Sequence, residues 1–182
     1  VANSKGTNIL SMRKLLGQAG QVKEQLFLSS LTPEERVAHD QTLAMGWVPV
    51  AMVDALFRKT AAALFPGDPA GLDRVGRAIA HDNLGGIYRL LLKFTTLQFV
   101  VGQVARLWGT YNDTGQVRVD WHEKAGRGVL TLTGYPGFPE GYRLETGGFM
   151  AGTAEMCGAQ DVRVQSDCPE PDTVRWTLTW KV

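Results

Sequence analysis

Cysteine and histidine are scarce in this chain, with two of the first and three of the second in 182 residues. Cys157 and Cys168 are too few for a secreted disulfide framework, so reduced thiols in a cytoplasmic protein are the expectation. There is no Cys-x-x-Cys pair. His39, His81 and His122 form no His-x-x-x-His, His-Glu-x-x-His or mixed Cys/His spacing, which leaves no sequence basis for a zinc site. No metal or resident cofactor is expected. Charge of one sign is missing too. Nineteen Lys and Arg against 18 Asp and Glu leave a net +1, which gives no reason to expect nucleic acid or an anionic membrane as partner. Nor does any apolar run approach the roughly 18 residues of a membrane span. The longest, around Ile87–Leu92 and Phe99–Val101, are interrupted by Arg89, Lys93 and Gln103. The opening Val1-Ala2-Asn3-Ser4-Lys5 does not read as a signal peptide.

The signatures of common catalysts are absent as well. Gly-x-Ser-x-Gly does not occur. The glycine-rich Gly147-Gly148-Phe149-Met150-Ala151-Gly152 has no following Lys-Ser/Thr and lies inside a helical pattern, where small residues let a helix approach a sheet. Two candidates for enzyme chemistry are left: Cys157, and His81 with Asp82. Cys157 precedes Gly158 at an expected helix end, where burial explains it more simply than activation. His81 also falls at a helix end, where imidazole satisfies free carbonyls. His39-Asp40 is expected on a polar helix face and His122 in solvent at a hairpin turn. The chain therefore reads as non-catalytic.

What is present is the pattern of one α+β unit, residues 1–182, with a mainly helical half (1–111) and a ββαββ half (112–182). A chain of 182 residues can bury about 70% of its unfolded surface without staples. Lys5–Leu10 reads as an extra N-terminal edge strand or as the entry to a first helix. Helical spacing follows over Ser11–Ala19 and Val22–Leu31. Thr32-Pro33-Glu34-Glu35 is a start signal, with Thr32 as cap, Pro33 in the first helical position and Glu35 completing a capping box. Gly46-Trp47-Val48-Pro49 breaks the pattern before a helix over Pro49–Phe65. Asp68 and Pro69 open another, running to about Asn83. A helix over Ile87–Tyr111, interrupted near Lys93–Thr96, is the most hydrophobic and is expected at the centre of the core. After Gly115 the period changes to two. Strands are expected at Gln116–Trp121, Val129–Thr133, Val162–Val164 and Val174–Trp180, with one helix over Glu140–Cys157 and a loop at Tyr135–Pro139. Four strands with one apolar face need a roof, which the helices supply.

Five tryptophans raise a second use for aromatic surface. Trp47, Phe94, Phe99 and Trp108 are the candidates to line an apolar ligand pocket between helices and sheet, against the simpler reading of core packing. Trp176 and Trp180 lie four apart on a strand and so share a face.

In order along the chain, Lys5-Gly6-Thr7, Gly20, Leu31-Thr32-Pro33-Glu34-Glu35-Arg36, Gly46-Trp47-Val48-Pro49 and Gly76-Arg77-Ala78-Ile79-Ala80 resemble an uncharacterised bacterial family expanded in myxobacteria. Leu107-Trp108, Tyr111, Gly115, Gly134-Tyr135, Gly148-Phe149, Gly158-Ala159, Cys168 and Trp180 continue the likeness. That family is similar in turn to the superfamily of ligand-binding domains in haem–nitric oxide sensors, four-vinyl reductase domains and TRAPP vesicle-tethering subunits. The resemblance implies helices packed on a twisted antiparallel sheet. Between them it implies a pocket, used for haem in some members and for acyl chains or protein contacts in others. The haem sensors take a histidine from the helix before the sheet and carry a Tyr-x-Ser-x-Arg signature. This chain has neither: no histidine lies between Ile87 and Tyr111, and the signature is absent. The expected function is a regulatory module for a small apolar ligand or a protein partner. A homodimerising or protein-interaction scaffold without ligand is the alternative.

Overall fold

The computed structural model describes residues 1–83 and 97–181. The expected break at Gly85-Gly86, the first part of the helix expected from Ile87, and Phe94 lie outside the described residues.

Helix-forming segments punctuated by caps and glycines build the first half. β1 (Asn3–Lys5) leads into α1 (Thr7–Gln18), α2 (Gln21–Ser30) and α3 (Pro33–Gln41). The start of α3 is the capping box read from sequence: Thr32 Oγ1 accepts from the Glu35 amide at 3.2 Å, and Glu35 accepts from the Thr32 amide at 2.7 Å. Glu35 also takes Lys59 Nζ at 2.6 Å, so the cap ties α3 to α4 (Val50–Leu64). Residues expected only to break the pattern form β2 (Trp47–Pro49), antiparallel to β1 with Ser4 opposite Val48. Asp68 does not start a helix at Pro69. It caps the turn at the Ala70 amide and pairs with Arg74, and α5 begins at Gly71, running to Asn83. The edge strand and the helix entry were rival readings of Lys5–Leu10; both exist, one after the other.

The second half is a four-stranded antiparallel sheet in the order β3-β4-β6-β5. β3 (Gln116–His122) and β4 (Arg127–Thr133) form a hairpin, and β5 (Gln160–Glu170) and β6 (Thr173–Lys181) form a second that returns to β4. Period-two alternation puts Val119, Leu130 and Trp176 in one cross-strand row and Val117, Leu132 and Val174 in the next. Leu130, Leu132, Val174, Trp176 and Leu178 are buried from this face, while Arg127, Arg163 and Arg175 on the other stand in solvent. Gly128 is required where it sits, because the Trp121 indole lies where a Cβ would go. α6 (Leu97–Tyr111) precedes the sheet, and α7 (Glu140–Met156) connects its two hairpins.

The centre of the molecule is α7. It packs on α5, on α4 and on the sheet, and its glycines serve two neighbours. Gly147 faces Val164 and Trp176 of the sheet. Gly148 and Gly152 let α5 approach until backbone meets backbone, and a Cβ at Gly76 would overlap the Glu145 carbonyl. Sequence placed the helix ending at Tyr111 in this role. Over its described part, α6 buries Val101 and Trp108 but exposes Phe99, Leu107 and Tyr111. High hydrophobicity marked it; what selects the central helix is instead the lack of bulk at glycine. One continuous cluster of buried apolar residues runs from Ile9 and Phe57 through Tyr142 to Trp176 and Leu178.

Candidate functional site

An aromatic layer lies where α6, the β4–α7 loop, α7 and β6 converge, and Phe138 is its hub. Its ring centroid is 4.7 Å from Tyr135 edge-on, 5.2 Å from Tyr142 stacked, 5.8 Å from Trp176 edge-on and 6.3 Å from Trp108. Tyr142 also meets Phe57 of α4 at 5.6 Å. Such pairs contribute about 0.5–1.5 kcal/mol each beyond burial. Local backbone makes the hub possible. The Tyr135 and Gly137 amides donate to the carbonyls of Asp172 and Pro171, pinning the loop to the β5–β6 turn, while Pro139 precedes α7. The segment read as a plain loop thus supplies two of the core's aromatic rings.

Polar groups cross this layer through one hydroxyl. Tyr142 Oη lies 3.0 Å from Ser4 Oγ, accepts from Asn8 Nδ2 at 3.0 Å and donates to Asn112 Oδ1 at 3.3 Å. It thereby joins β1, α1, the residue after α6, and α7. Burial pushes the Tyr142 phenol well above its ordinary pKa, and that of Tyr135 likewise. The Tyr135 hydroxyl is buried without a hydrogen-bond partner among the described residues. Three residues beyond Tyr142, Glu145 is 5% exposed, and burial pushes its carboxyl up to about 8. On the outer side of the layer is an open recess of about 370 Å³, lined by Tyr135, Phe138, Cys168, Glu170, Pro171 and Val174 among others.

The pocket candidates named from sequence have separate settings. Trp108 belongs to the layer, buried, with its indole Nε1 donating to the Thr114 carbonyl at 2.9 Å. Phe99 stands on the same helix, 59% exposed. Trp47 is 48% exposed on β2, under the ammonium of Lys5 at 3.7 Å. Missed from sequence were Tyr135, Phe138, Tyr142 and Glu145. The prolines flanking Phe138 advertised a solvent loop, and one acid among glycines in a helix advertised an exposed face. Glu145 carries no local pattern that would have revealed it.

The remaining polar candidates are engaged elsewhere. His39, expected on a polar face, is 9% exposed, tilted against the Phe27 ring at 5.3 Å with Nδ1 2.7 Å from Asp40. The α2–α3 packing covers the face that the charged neighbours made look wet. His81 Nε2 is 3.7 Å from Glu155, and His122 is exposed at the end of β3. Both cysteines are free; Cys157 is half-buried, which raises its thiol pKa, the reverse of activation. Among the described residues, no group of three or more His, Cys, Asp and Glu side chains could hold a metal, and no helix is long and apolar enough to cross a membrane.

No family model and no curated protein matches the chain. Solved structures do. An H-NOX protein from S. oneidensis in its Fe(II) ligation state (a triple mutant) has a TM-score of 0.64 at 13% identity, covering 98% of this chain and 96% of that one. The Fe(II) unliganded H-NOX protein from K. algicida, a point mutant, gives 0.63 at 12%, covering 98% and 97%. An oxygen-binding H-NOX domain related to soluble guanylate cyclases gives 0.57 at 14%, covering 97% and 93%. Identity this low carries the architecture and no residue roles. From end to end, the chain has the H-NOX fold.

Proposed function

We propose that this chain is a non-catalytic cytoplasmic regulatory module. It takes a small apolar ligand, or a protein partner, at the aromatic layer between helices and sheet. The observation that carries the reading is Phe138, whose ring touches aromatics from α6, α7 and β6 beside a recess of about 370 Å³. That size falls within the range of small-molecule sites. Of the residues proposed from sequence as lining, Trp108 meets Phe138, and the recess beside it is walled by Tyr135, Cys168, Glu170 and Val174; Phe94, Phe99 and Trp47 are proposed as further contacts of the ligand or partner. The H-NOX fold, whose members include proteins that bind iron-ligated gases, supports a sensing role by analogy of architecture.

The reading excludes haem ligation of the nitric-oxide-sensor type. Haem iron is held chiefly through an axial side chain. Residues 87–111 hold no histidine, and no histidine is among the rings around Phe138. Native mass spectrometry of the protein purified from its own host tests the proposal. A retained apolar small molecule or a stoichiometric partner is the expected result, and neither being present counts against it. Titration with haem should leave its absorption that of free haem; a Soret shift at equimolar haem overturns that part.

A protein-interaction or homodimer scaffold without ligand is the second reading. Leu43, Met45 and Trp47, exposed by 76%, 72% and 48% within one short stretch, favour it. A dimer that dissociates when Leu43 and Met45 become serine would establish it over the first.

A further inference from the structure

Glu145 is a carboxyl in the wrong place for a surface acid. It lies on α7 at the crossing with α5, where the Glu145 carbonyl touches the site of the missing Gly76 Cβ and Gly148 touches the Asp73 carbonyl. Its side chain is 5% exposed, and among the described residues its hydrogen-bonding neighbour is the adjacent Thr146. Among the described residues no cation pairs with Glu145; Arg74 of α5 goes to Asp68, Asp82 to Lys14, and Arg163 of β5 stands in solvent. On α4, Asp54 receives Arg58 Nε and the Tyr142 amide, and Lys59 goes to Glu35. On α5, Arg77 bridges Asp73 and Glu155, and His81 faces Glu155. On the sheet, Arg175 pairs with Asp167, and Arg143 of α7 itself reaches Ser166. The titratable group that Glu145 acts on is Tyr142, one turn earlier and tied to Ser4, Asn8 and Asn112.

A buried carboxylate with no counter-charge is expensive in free energy, and the group keeps its proton instead. Here Glu145 is almost wholly shut off from solvent, and α5 and α7 meet so closely at Gly76 and Gly148 that hydrating the charged form requires the packing at this crossing to open. Parting them pulls on Tyr142, and through it on β1, α1 and the residue after α6. We propose that Glu145 is a proton-operated latch: with its proton it holds α7 against α5, and on losing it releases α7 together with the amino-terminal strand. The latch stands whether or not the aromatic layer takes a ligand.

The burial that raises this carboxyl from 4.5 to about 8 fixes the sign. Across that window the folded chain holds one proton that the unfolded chain has lost, so the Glu145 contribution to stability is fully present below 4.5 and is lost as pH rises to about 8. One proton of linkage lowers the folding equilibrium constant about tenfold per pH unit across that window. The test compares denaturant unfolding of the whole chain and of Glu145→Gln from pH 5 to pH 9. The expected result is that Gln removes one proton of slope, whereas equal slopes overturn the proposal. Infrared spectra of the unmodified chain give a second arm that needs no variant. A protonated-carboxyl band present at pH 6 and lost by pH 9 supports the latch, and its absence at pH 6 overturns it. Hydrogen exchange corrected for intrinsic rates is the third. Residues 3–12 should lose protection at pH 9 in the native chain but not in Glu145→Gln, and unchanged protection in both rejects the release step.

Discussion

The hydroxyls of Tyr142 and Ser4 stand 3.0 Å apart, although 138 positions separate them in the chain. Removing either leaves a buried partner short of a hydrogen bond. Tyr142→Phe should destabilise the protein by about 1–3 kcal/mol, because the Ser4, Asn8 and Asn112 side chains all lose one neighbour. Ser4→Ala should cost less on top of Tyr142→Phe than alone, the remainder being its bonds with the Tyr111 carbonyl and Asn8. A double-mutant cycle by denaturant unfolding measures this, and additive effects would show that the two do not interact.

Gly76 and Gly17 are both helical, and alanine should act on them with opposite sign. At Gly76 the added methyl overlaps the Glu145 carbonyl, so the helices must separate; a loss of about 1–3 kcal/mol is expected. At Gly17 nothing lies within 4 Å, and alanine should gain about 0.5–1 kcal/mol by helix propensity. Thermal melts of the two variants decide it, and a neutral Gly76→Ala would mean the crossing is looser than described.

Phe138→Ala should lower stability by about 3–5 kcal/mol, the usual penalty for emptying an aromatic core position. Phe138→Leu should lose less. Trp108 and Trp176 both meet Phe138, so the tryptophan fluorescence should shift to the red in the alanine variant as water reaches the layer. An unshifted spectrum would mean that the layer stays dry without the Phe138 ring.

Acid should loosen α3 before the sheet. The hydrogen bond from Lys59 holds the Glu35 carboxyl below its ordinary 4.5, with the Thr32 cap adding to it against the effect of burial. Its contribution is present above 4.5 and is lost as pH falls through the lowered value, the reverse of the Glu145 dependence. Protection factors at Glu35 and Arg36, corrected for intrinsic rates, should fall between pH 5 and pH 3 in the native chain and already be low in Glu35→Ala. Protection that persists at pH 3 would argue against the pairing.

Where local chemistry alone determines geometry, sequence reading succeeded. Thr32-Pro33-Glu34-Glu35 specified its helix start, and alternation in β3, β4 and β6 specified which face Leu130 and Trp176 would bury. It failed where geometry depends on distant partners. Trp47-Val48-Pro49 is too short for alternation to register and is a strand because Asn3–Lys5 pairs with it. His39 is covered because α2 brings Phe27 to it. The aromatic layer mixes residues from four segments, so only Trp108, on a strongly apolar helix, and Trp176, on an alternating strand, stood out beforehand. For Glu145 the local sequence shows only an acid near glycines; its burial follows from the match of Gly148 and Gly152 with Gly76 on α5.

The knot at Tyr142 also orders events in time. Its bonds to Ser4 and Asn8 span 138 and 134 residues, and closing so long a loop delays the contacts that depend on it. During synthesis α1 leaves the ribosome with the contacts of Ser4 and Asn8 to Tyr142 unmade until α7 has followed. The amino-terminal segment therefore completes its packing late, and for that interval it is open to chaperones and proteases.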